Sequence, residues 1–135
     1  MKVVLDTNVV ISGIFFSGPP SDILRSSSRG KIKLLLTPEI FEEYQRVAVN
    51  LGKSHRGIEI NQVLELILMG SELIVAKPLL RPICTDPNDD KFFDCAVAGS
   101  AKIIVSGDKH LLEASGSHGV TVLKPRHFLQ IYLKP

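Results

Sequence analysis

Carboxylate side chains are concentrated between positions 86 and 108, where five of the chain's 14 acidic residues surround a strongly apolar run. Carboxylates that converge cannot all stay ionised at neutral pH without a counter-charge, because neighbouring negative charges raise one another's pKa. Oxygen ligands without histidine or cysteine are typical of sites for Mg²⁺ or Mn²⁺. Such a cation can generate hydroxide, place it in line with a phosphorus atom and stabilise the leaving oxygen. The residue types therefore point to metal-assisted phosphoryl chemistry.

Two aspartates directly follow short apolar runs that predict buried strands. Asp6 comes directly after Val-Val-Leu at 3–5, and Asp108 follows Ile-Ile-Val at 103–105 with two residues between them. Sites in an open parallel sheet form outside the carboxyl ends of the strands, so both aspartates stand where a site is expected. An aspartate that begins a helix also caps free N–H groups, and capping alone would explain either residue.

A third acidic group lies on a predicted helix that begins at the Thr-Pro pair at 37–38. On a helical wheel the apolar stripe centres near Tyr44, which puts Glu42 almost opposite it and Glu43 at its edge. Glu39 falls in the first turn, where a contact with the helix dipole explains it. Glu43 can therefore reach a site at the rim of the core, although an ordinary boundary charge remains the alternative.

The acidic segment itself divides into turn residues and helical residues. Asp86 and Asp89 are explained most simply by turn and capping chemistry before a buried helix. Asp94 lies four residues after Asp90 and hence on the same helical face, inside a helix with little polar surface. A charge there is costly unless it is paired or binds a cation.

Apolar patterns elsewhere predict an alternation of strands and helices, and hence a parallel sheet with helices on both faces. The length suits one domain over residues 1–135. A mostly extended loop is expected at 78–87. The predicted strands are 2–5, 32–36, 72–76, 103–105 and 120–123, and the predicted helices follow residue 6 and span 21–29, 37–50, 58–69, 92–101, 109–114 and 126–133.

Composition excludes several other classes of protein. With 44% apolar and 22% charged residues the chain fits neither a disordered nor a membrane-spanning protein. Asp6 and Asn8 interrupt the apolar start, so no export signal is expected. Cys84 and Cys95 are too few for a disulfide framework or a zinc site, which favours reduced thiols in a cytoplasmic protein. A net charge of +2 is too small to indicate nucleic acid by itself.

Four stretches in order resemble the PIN domain, the family named from the PilT N-terminus: LDTNVVISG, TPEIFEEY, DPNDDKFFDCAVAG and IIVSGDKHLL. The resemblance covers essentially the whole chain and is closest to the bacterial and archaeal toxins of toxin–antitoxin pairs, similar to VapC-type ribonucleases. It implies an α/β fold, a three-layer α/β/α sandwich with a central, mainly parallel sheet of about five strands. It also implies RNA phosphodiester cleavage at three or four acidic residues that hold Mg²⁺ or Mn²⁺.

Carried over position by position, the resemblance makes Asp6 the first acidic residue, Glu43 the helical one and Asp108 the last. For the third, the 18-residue step from Asp90 to Asp108 fits the family without a gap, and Asp94 is a second-tier contributor. Glu42 and Glu39 are not excluded, because the family varies around the helical glutamate. Polar positions that often orient ligands or water in this family correspond to Thr7, Asn8 and Ser106.

The resemblance also implies partners: an RNA substrate, a small antitoxin protein and a second copy of the chain, with no membrane. Basic clusters that could follow an RNA backbone include Arg25, Arg29, Lys31, Lys53 and Arg56. One rival interpretation is a non-catalytic RNA-binding module of the same fold, expected to lack one or more carboxylates. Another is an Asp-based phosphotransfer domain, which would favour Asp-x-Asp after the first strand, where this chain has Asp-Thr-Asn.

Overall fold

A central sheet of five parallel strands organises the protein in this computed structural model, which describes residues 1–80 and 82–133. The strand order is β3-β2-β1-β4-β5, so the first strand lies in the middle. The strands are β1 (Lys2–Leu5), β2 (Lys33–Leu36), β3 (Glu72–Leu73), β4 (Ile103–Val105) and β5 (Thr121–Leu123).

Seven α-helices occur among the described residues and connect the strands. They are α1 (Thr7–Phe15), α2 (Pro19–Ser28), α3 (Pro38–Gly52), α4 (Ile60–Met69), α5 (Asp90–Ala98), α6 (Lys109–Glu113) and α7 (Pro125–Phe128). Short 3-10 turns occupy Pro87–Asp89 and Ser117–Gly119, and α7 continues as a π-helical turn over Leu129–Leu133. Parallel strands joined by helical connections confirm the predicted α/β sandwich.

The middle of the sheet is fully enclosed, as expected for parallel strands covered on both faces. All three residues of β4 are buried, and so are the last three of β1 and of β2. Phe92 and Phe93 of α5 pack into the same core, both with almost no solvent exposure. Hence the ends of β1 and β4 are held rigidly, and the residues that follow them start from fixed positions.

Many element boundaries differ from the sequence prediction by one or two residues, and those of β3, α5 and the terminal helix bear on the site or the sheet. β3 ends at Leu73 instead of residue 76, because its ladder with β2 contains only two residue pairs. α5 begins at Asp90, two residues earlier than expected, and ends at Ala98. The terminal helix starts at Pro125 and changes to π-helical geometry after Phe128.

The structure also bears on the expectations for the cysteines and for membrane-spanning helices. Both cysteines are buried and unpaired, as expected for reduced thiols. Across residues 1–80 and 82–133, no helix combines the length and apolar character needed to cross a membrane. One domain over residues 1–135 stays a prediction, and positions 81, 134 and 135 lie outside the described residues.

Candidate functional site

Asp6 lies at the carboxyl end of the central strand, where its side chain contacts the end of the neighbouring strand. Leu5 of β1 pairs with Val105 of β4, so the residues that follow the two strands are close together. Asp6 occupies the N-cap position of α1 but makes no side-chain capping hydrogen bond. Its Oδ2 instead accepts a hydrogen bond of 2.7 Å from the Ser106 hydroxyl. Capping therefore does not explain this carboxylate.

Ser106 connects Asp6 to the second aspartate at the strand ends. Its oxygen accepts the backbone N–H of Asp108 at 2.9 Å while its hydroxyl donates to Asp6. The serine is fully buried, so both hydrogen bonds lie away from solvent. This arrangement fixes the backbone of Asp108 relative to the carboxylate of Asp6.

The electrostatic environment of Asp6 disfavours a lone negative charge. The residue is only 6% exposed, and this burial is the main cause that raises the pKa of its carboxyl. The hydrogen bond from Ser106 opposes the shift, whereas the negative charges of Asp108 and Glu43 add to it. A cation at this position would relieve both the burial cost and the repulsion.

Asp108 does perform the capping role that its sequence position suggested. Its Oδ2 accepts the backbone N–H of Leu111 at 3.1 Å, which caps the short helix α6. The same residue contributes to the raised pKa of Asp6, so its charge also acts on the candidate site. For Asp108 the capping and site interpretations are compatible.

Glu43 reaches the candidate site from α3 on the side that the helical wheel predicted. Its side chain is 22% exposed, whereas Glu42 and Glu39 are exposed residues. The Thr7 hydroxyl donates to Oε2 of Glu43, and Oε1 lies 2.9 Å from Nζ of Lys91. Both carboxylate oxygens thus have partners, which hold Glu43 in one orientation.

Asp90 and Asp94 both contact the proline-rich loop that precedes α5. Oδ1 of Asp90 accepts the backbone N–H of Cys84 at 2.7 Å, and both of its oxygens lie 3.3 Å from the backbone N of Ile83. Oδ1 of Asp94 accepts the backbone N–H of Leu79 at 3.1 Å. Asp94 is therefore paired without a cation, and its pKa is raised chiefly by burial. A metal role for Asp90 stays a prediction beside this structural one.

Asp89, assigned from the sequence to capping, has the electrostatic surroundings expected of a site residue. It occupies the N-cap position of α5 without making a side-chain capping bond. Burial raises the pKa of its carboxyl to about 6, with further contributions from the charges of Asp108, Asp86 and Asp6. Asp89 thus competes with Asp90 for the third carboxylate position. In the sequence, the adjacency of two aspartates at 89–90 was the signal that either could be the third carboxylate.

The five basic residues predicted to follow RNA are all exposed, but the topology separates some of them from the carboxylates. Arg29 and Lys31 precede β2, whose first residue pairs with Lys2, so they lie near the amino ends of the strands. Lys53 and Arg56 follow α3, which starts at the carboxyl end of β2 and runs for about 22 Å away from it. Their RNA contacts stay a prediction.

Two cations that the sequence analysis did not single out lie beside the site. Nζ of Lys91 and Nη2 of Arg46 are 2.9 Å and 3.9 Å from Oε1 of Glu43. The position of Arg46, three residues after Glu43 on one helix, was an available sequence signal. Contact between Lys91 and Glu43 joins two different helices and had no such signal. Asn8, the remaining predicted polar residue, is exposed in the first turn of α1.

The carboxylates at the candidate site have the chemistry that a hard divalent cation prefers, but their side chains lie too far apart to hold one ion together. Asp6, Glu43 and Asp108 offer carboxylate oxygens, and the raised pKa of Asp6 reflects the charges of the other two. As placed, however, no three His, Cys, Asp or Glu side chains of the described residues are close enough to hold one ion. Side-chain rotation would be required to close the set around a cation.

Comparison with known proteins identifies a family to which the chain is similar. A family model described as PIN domain matches residues 2–110, a span that contains every acidic residue discussed for the site and ends within α6. No curated protein matches the chain significantly.

Proposed function

The chain belongs to the PIN domain family, whose members are generally nucleases, and from this premise we propose that it is a ribonuclease dependent on Mg²⁺ or Mn²⁺. The observation that carries the proposal is the buried Asp6 carboxylate, which is held by Ser106 beside Asp108 and makes no capping bond. A buried carboxylate with a raised pKa and no capping bond is the kind of group that marks a functional site.

Each residue has a distinct role in the proposed reaction. Asp6, Glu43 and Asp108 would hold the cation, which supplies Lewis-acid stabilisation of phosphate oxygens and acidifies water when bound. The hydroxyls of Ser106 and Thr7 orient Asp6 and Glu43 through the hydrogen bonds already described. Hydrolysis forms a bond from water oxygen to phosphorus and breaks one phosphorus–oxygen bond of the RNA. The leaving ribose oxygen takes up a proton released by the water and becomes a hydroxyl.

The test is RNA cleavage by the purified full chain with Mg²⁺ or Mn²⁺, against EDTA. We expect Asp6→Asn to lower the cleavage rate by about 100-fold or more, since a charged ligand of the proposed cation, and with it much of the stabilisation of the phosphate oxygens, is lost. Asp22→Asn is the matched control, because Asp22 is an exposed carboxylate that pairs with Arg25 at the surface. Activity that survives both EDTA and the Asp6 substitution would exclude the proposed mechanism.

The third carboxylate is decided by comparing Asp89→Asn with Asp90→Asn in the same assay. If Asp90 is the third metal ligand, as its spacing to Asp108 predicts, Asp90→Asn lowers the cleavage rate more than Asp89→Asn does. If Asp89 is the third metal ligand, Asp89→Asn lowers the cleavage rate more than Asp90→Asn does. The charges of Asp108 and Asp6, which raise the pKa of Asp89, support this second possibility. Thermal unfolding of each variant in EDTA, measured beside a Mn²⁺ titration, separates a loss of metal binding from a loss of folding.

A non-catalytic RNA-binding module is the second candidate function. Two observations favour it: Glu43 is already paired with Lys91, and as placed the described residues bring no three ligands together. This alternative predicts that wild type and Asp6→Asn are equally inactive on varied RNAs in the presence of metal, while both retain RNA binding.

The biological setting is part of the same proposal. We infer a cytoplasmic toxin of a type II pair, inhibited by a small antitoxin protein and assembled as a homodimer. Exposed apolar residues on α4, Leu66 and Met69, support a protein contact on that helix. A short reading frame directly upstream of the gene would support the toxin role, and a co-purified small protein would support the antitoxin.

A further inference from the structure

Lys91 is an enclosed lysine whose ammonium group is held on three sides. Its side chain is only 11% exposed, and Nζ lies 2.9 Å from Oε1 of Glu43. The ammonium also donates to the backbone carbonyl of Asn88 at 2.6 Å and lies 5.1 Å from the ring centre of Phe92. A lysine that is enclosed in this way has lost most of its side-chain freedom and most of its hydration.

The Lys91–Glu43 pair differs from the other ion pairs among the described residues. Its two side chains are 11% and 22% exposed. In each of the other pairs, at least one partner is 44% exposed or more, as in Lys2–Glu72. Exposed pairs contribute little, because solvent screens them and their side chains remain mobile. The enclosed pair is the one in which loss of a partner has a large consequence.

The carboxylate held by Lys91 is the one proposed to bind metal from α3. Oε2 of Glu43 accepts the Thr7 hydroxyl and Oε1 faces Lys91, so no oxygen of Glu43 lacks a partner. A cleft of about 540 Å³ leads from solvent to the pair and gives a small cation a route to it. The cleft is lined by Glu39, Glu42, Glu43, Arg46, Asn88 and Lys91.

We propose that Lys91 is the internal counter-cation of the site, a positioning residue whose ammonium neutralises Glu43 and must leave Oε1 when a divalent cation binds there. This inference rests on the proposed function. The lysine and the divalent cation compete for the same carboxylate oxygen, so the lysine weakens metal binding and stabilises the protein when no metal is present.

Isothermal titration with Mn²⁺ alone tests the proposal on the full-length chain without RNA. We expect Lys91→Met to bind Mn²⁺ about tenfold more tightly than wild type, since a competing positive charge is removed. Lys91→Arg, which keeps the charge, stays close to wild type. Arg46→Met is the matched control, because Arg46 faces the same oxygen at 3.9 Å but is 70% exposed, and it changes the affinity by no more than about twofold.

Thermal unfolding supplies a second readout that does not depend on catalysis. In EDTA, Lys91→Met should melt at a lower temperature than wild type, because Glu43 is left without its counter-charge. Saturating Mn²⁺ should restore more stability to this variant than to wild type. Lys91→Gln, which keeps a donor for the Asn88 carbonyl, is measured in parallel in case the methionine variant does not fold.

The outcomes separate this inference from the proposed function. Equal or weaker Mn²⁺ binding by folded Lys91 variants, beside a wild type that binds Mn²⁺ through Asp6, overturns the counter-cation role alone. Absence of Mn²⁺ binding in wild type, with the Asp6→Asn variant behaving identically, overturns the proposed function and this inference with it. Tighter binding by both uncharged Lys91 variants supports the competition directly.

Discussion

Asp89 and Asp90 are adjacent in sequence, yet their carboxylates have different surroundings. Asp90 accepts backbone N–H groups of Ile83 and Cys84, which compensate its negative charge. Asp89 has no capping bond and feels the charges of Asp108, Asp86 and Asp6, and its pKa rises from 3.8 to about 6. The two residues therefore make opposite contributions to the stability of the fold at neutral pH.

We expect the stability of the wild-type protein in EDTA to fall as pH rises from about 4 to about 6. A carboxyl whose pKa is raised on folding binds its proton more tightly in the native state, so the stability it contributes is present below 3.8 and lost through about 6. Asp89→Asn removes its share of this slope and stabilises the protein at pH 7 by about 1 kcal/mol, since solvent partly screens the group. Urea unfolding at several pH values measures the effect.

The control for this pH series is Asp22→Asn, because Asp22 is an exposed carboxylate whose charge is not among those that raise the pKa of Asp89. The raised pKa values of Asp6 and Asp94 leave some slope in every variant. If the stability of Asp89→Asn depends on pH in the same way as that of wild type, the pKa of Asp89 is not raised by folding as described.

At the residue scale, periodicity predicted some side-chain environments and missed others for a physical reason. The wheel of α3 placed Glu43 near the core and Glu42 in solvent, because exposure on a regular helix follows from spacing alone. The partners of Asp90 come from a loop six or seven residues earlier, and those of Glu43 from α1 and α5. Such contacts depend on how the elements pack against one another, and the spacing of residues within one element carries no information about that packing.

At the element scale, α5 anchors the loop before it through its own acidic residues. Asp90 and Asp94 accept backbone N–H groups of residues 79, 83 and 84, none of which belongs to a strand or helix. Loop N–H groups that lie partly buried must find acceptors, and a carboxylate is a strong one. The two aspartates therefore hold the loop against the helix whether or not they also contact a metal.

Asp90→Ala should destabilise the protein in EDTA by about 2 kcal/mol, because charge-assisted hydrogen bonds to two N–H groups are lost. Amide hydrogen exchange of Ile83 and Cys84 should accelerate at the same time. Asp89→Ala, the matched neighbour, removes a buried charge and its repulsion by other carboxylates, and should leave both quantities unchanged or slightly improved. Unaltered exchange at residues 83 and 84 in Asp90→Ala would show that the loop is held by other contacts.

Element boundaries show where local patterns stop being sufficient. Glu72 to Ala76 has the apolar content of a strand, but only two of its residues pair with β2, and Ile74 adds one further hydrogen bond to Leu36. The length of an edge strand depends on how far its neighbour extends, and β2 ends at Leu36. The start of α5 was placed late because the turn residues before it are polar and resemble loop.

At the scale of the whole molecule, the alternation of strands and helices was enough to predict a parallel α/β fold. That order also implied that Asp6 and Asp108 emerge at one edge of the sheet, and pairing of Leu5 with Val105 confirms this. The positions of the basic clusters were not predictable, because they depend on the strand order and on helix length. Arg29 and Lys31 consequently lie at the edge away from the carboxylates.

One face of the molecule carries apolar side chains that the core does not use. Leu66 and Met69 of α4 are 70% and 74% exposed and lie three residues apart on one helical face. They border a groove of about 580 Å³ whose other lining includes Ile14, Leu24 and Ile67. Exposed apolar surface of this kind is typical of protein–protein contacts, which makes α4 the natural place for the proposed homodimer interface.

We expect a double substitution, Leu66→Glu with Met69→Glu, to convert a wild-type dimer to monomer in light scattering coupled to size-exclusion chromatography. The dimer is destabilised because four new charges would be buried in a two-fold contact. In the monomer the same positions are exposed and tolerate the charges with little loss of stability. Asn61→Glu adds a charge to an exposed position on a different face of the same helix and should leave the dimer intact. A wild type that stays monomeric at all concentrations would exclude the homodimer, and a double variant that still dimerises would move the interface away from α4.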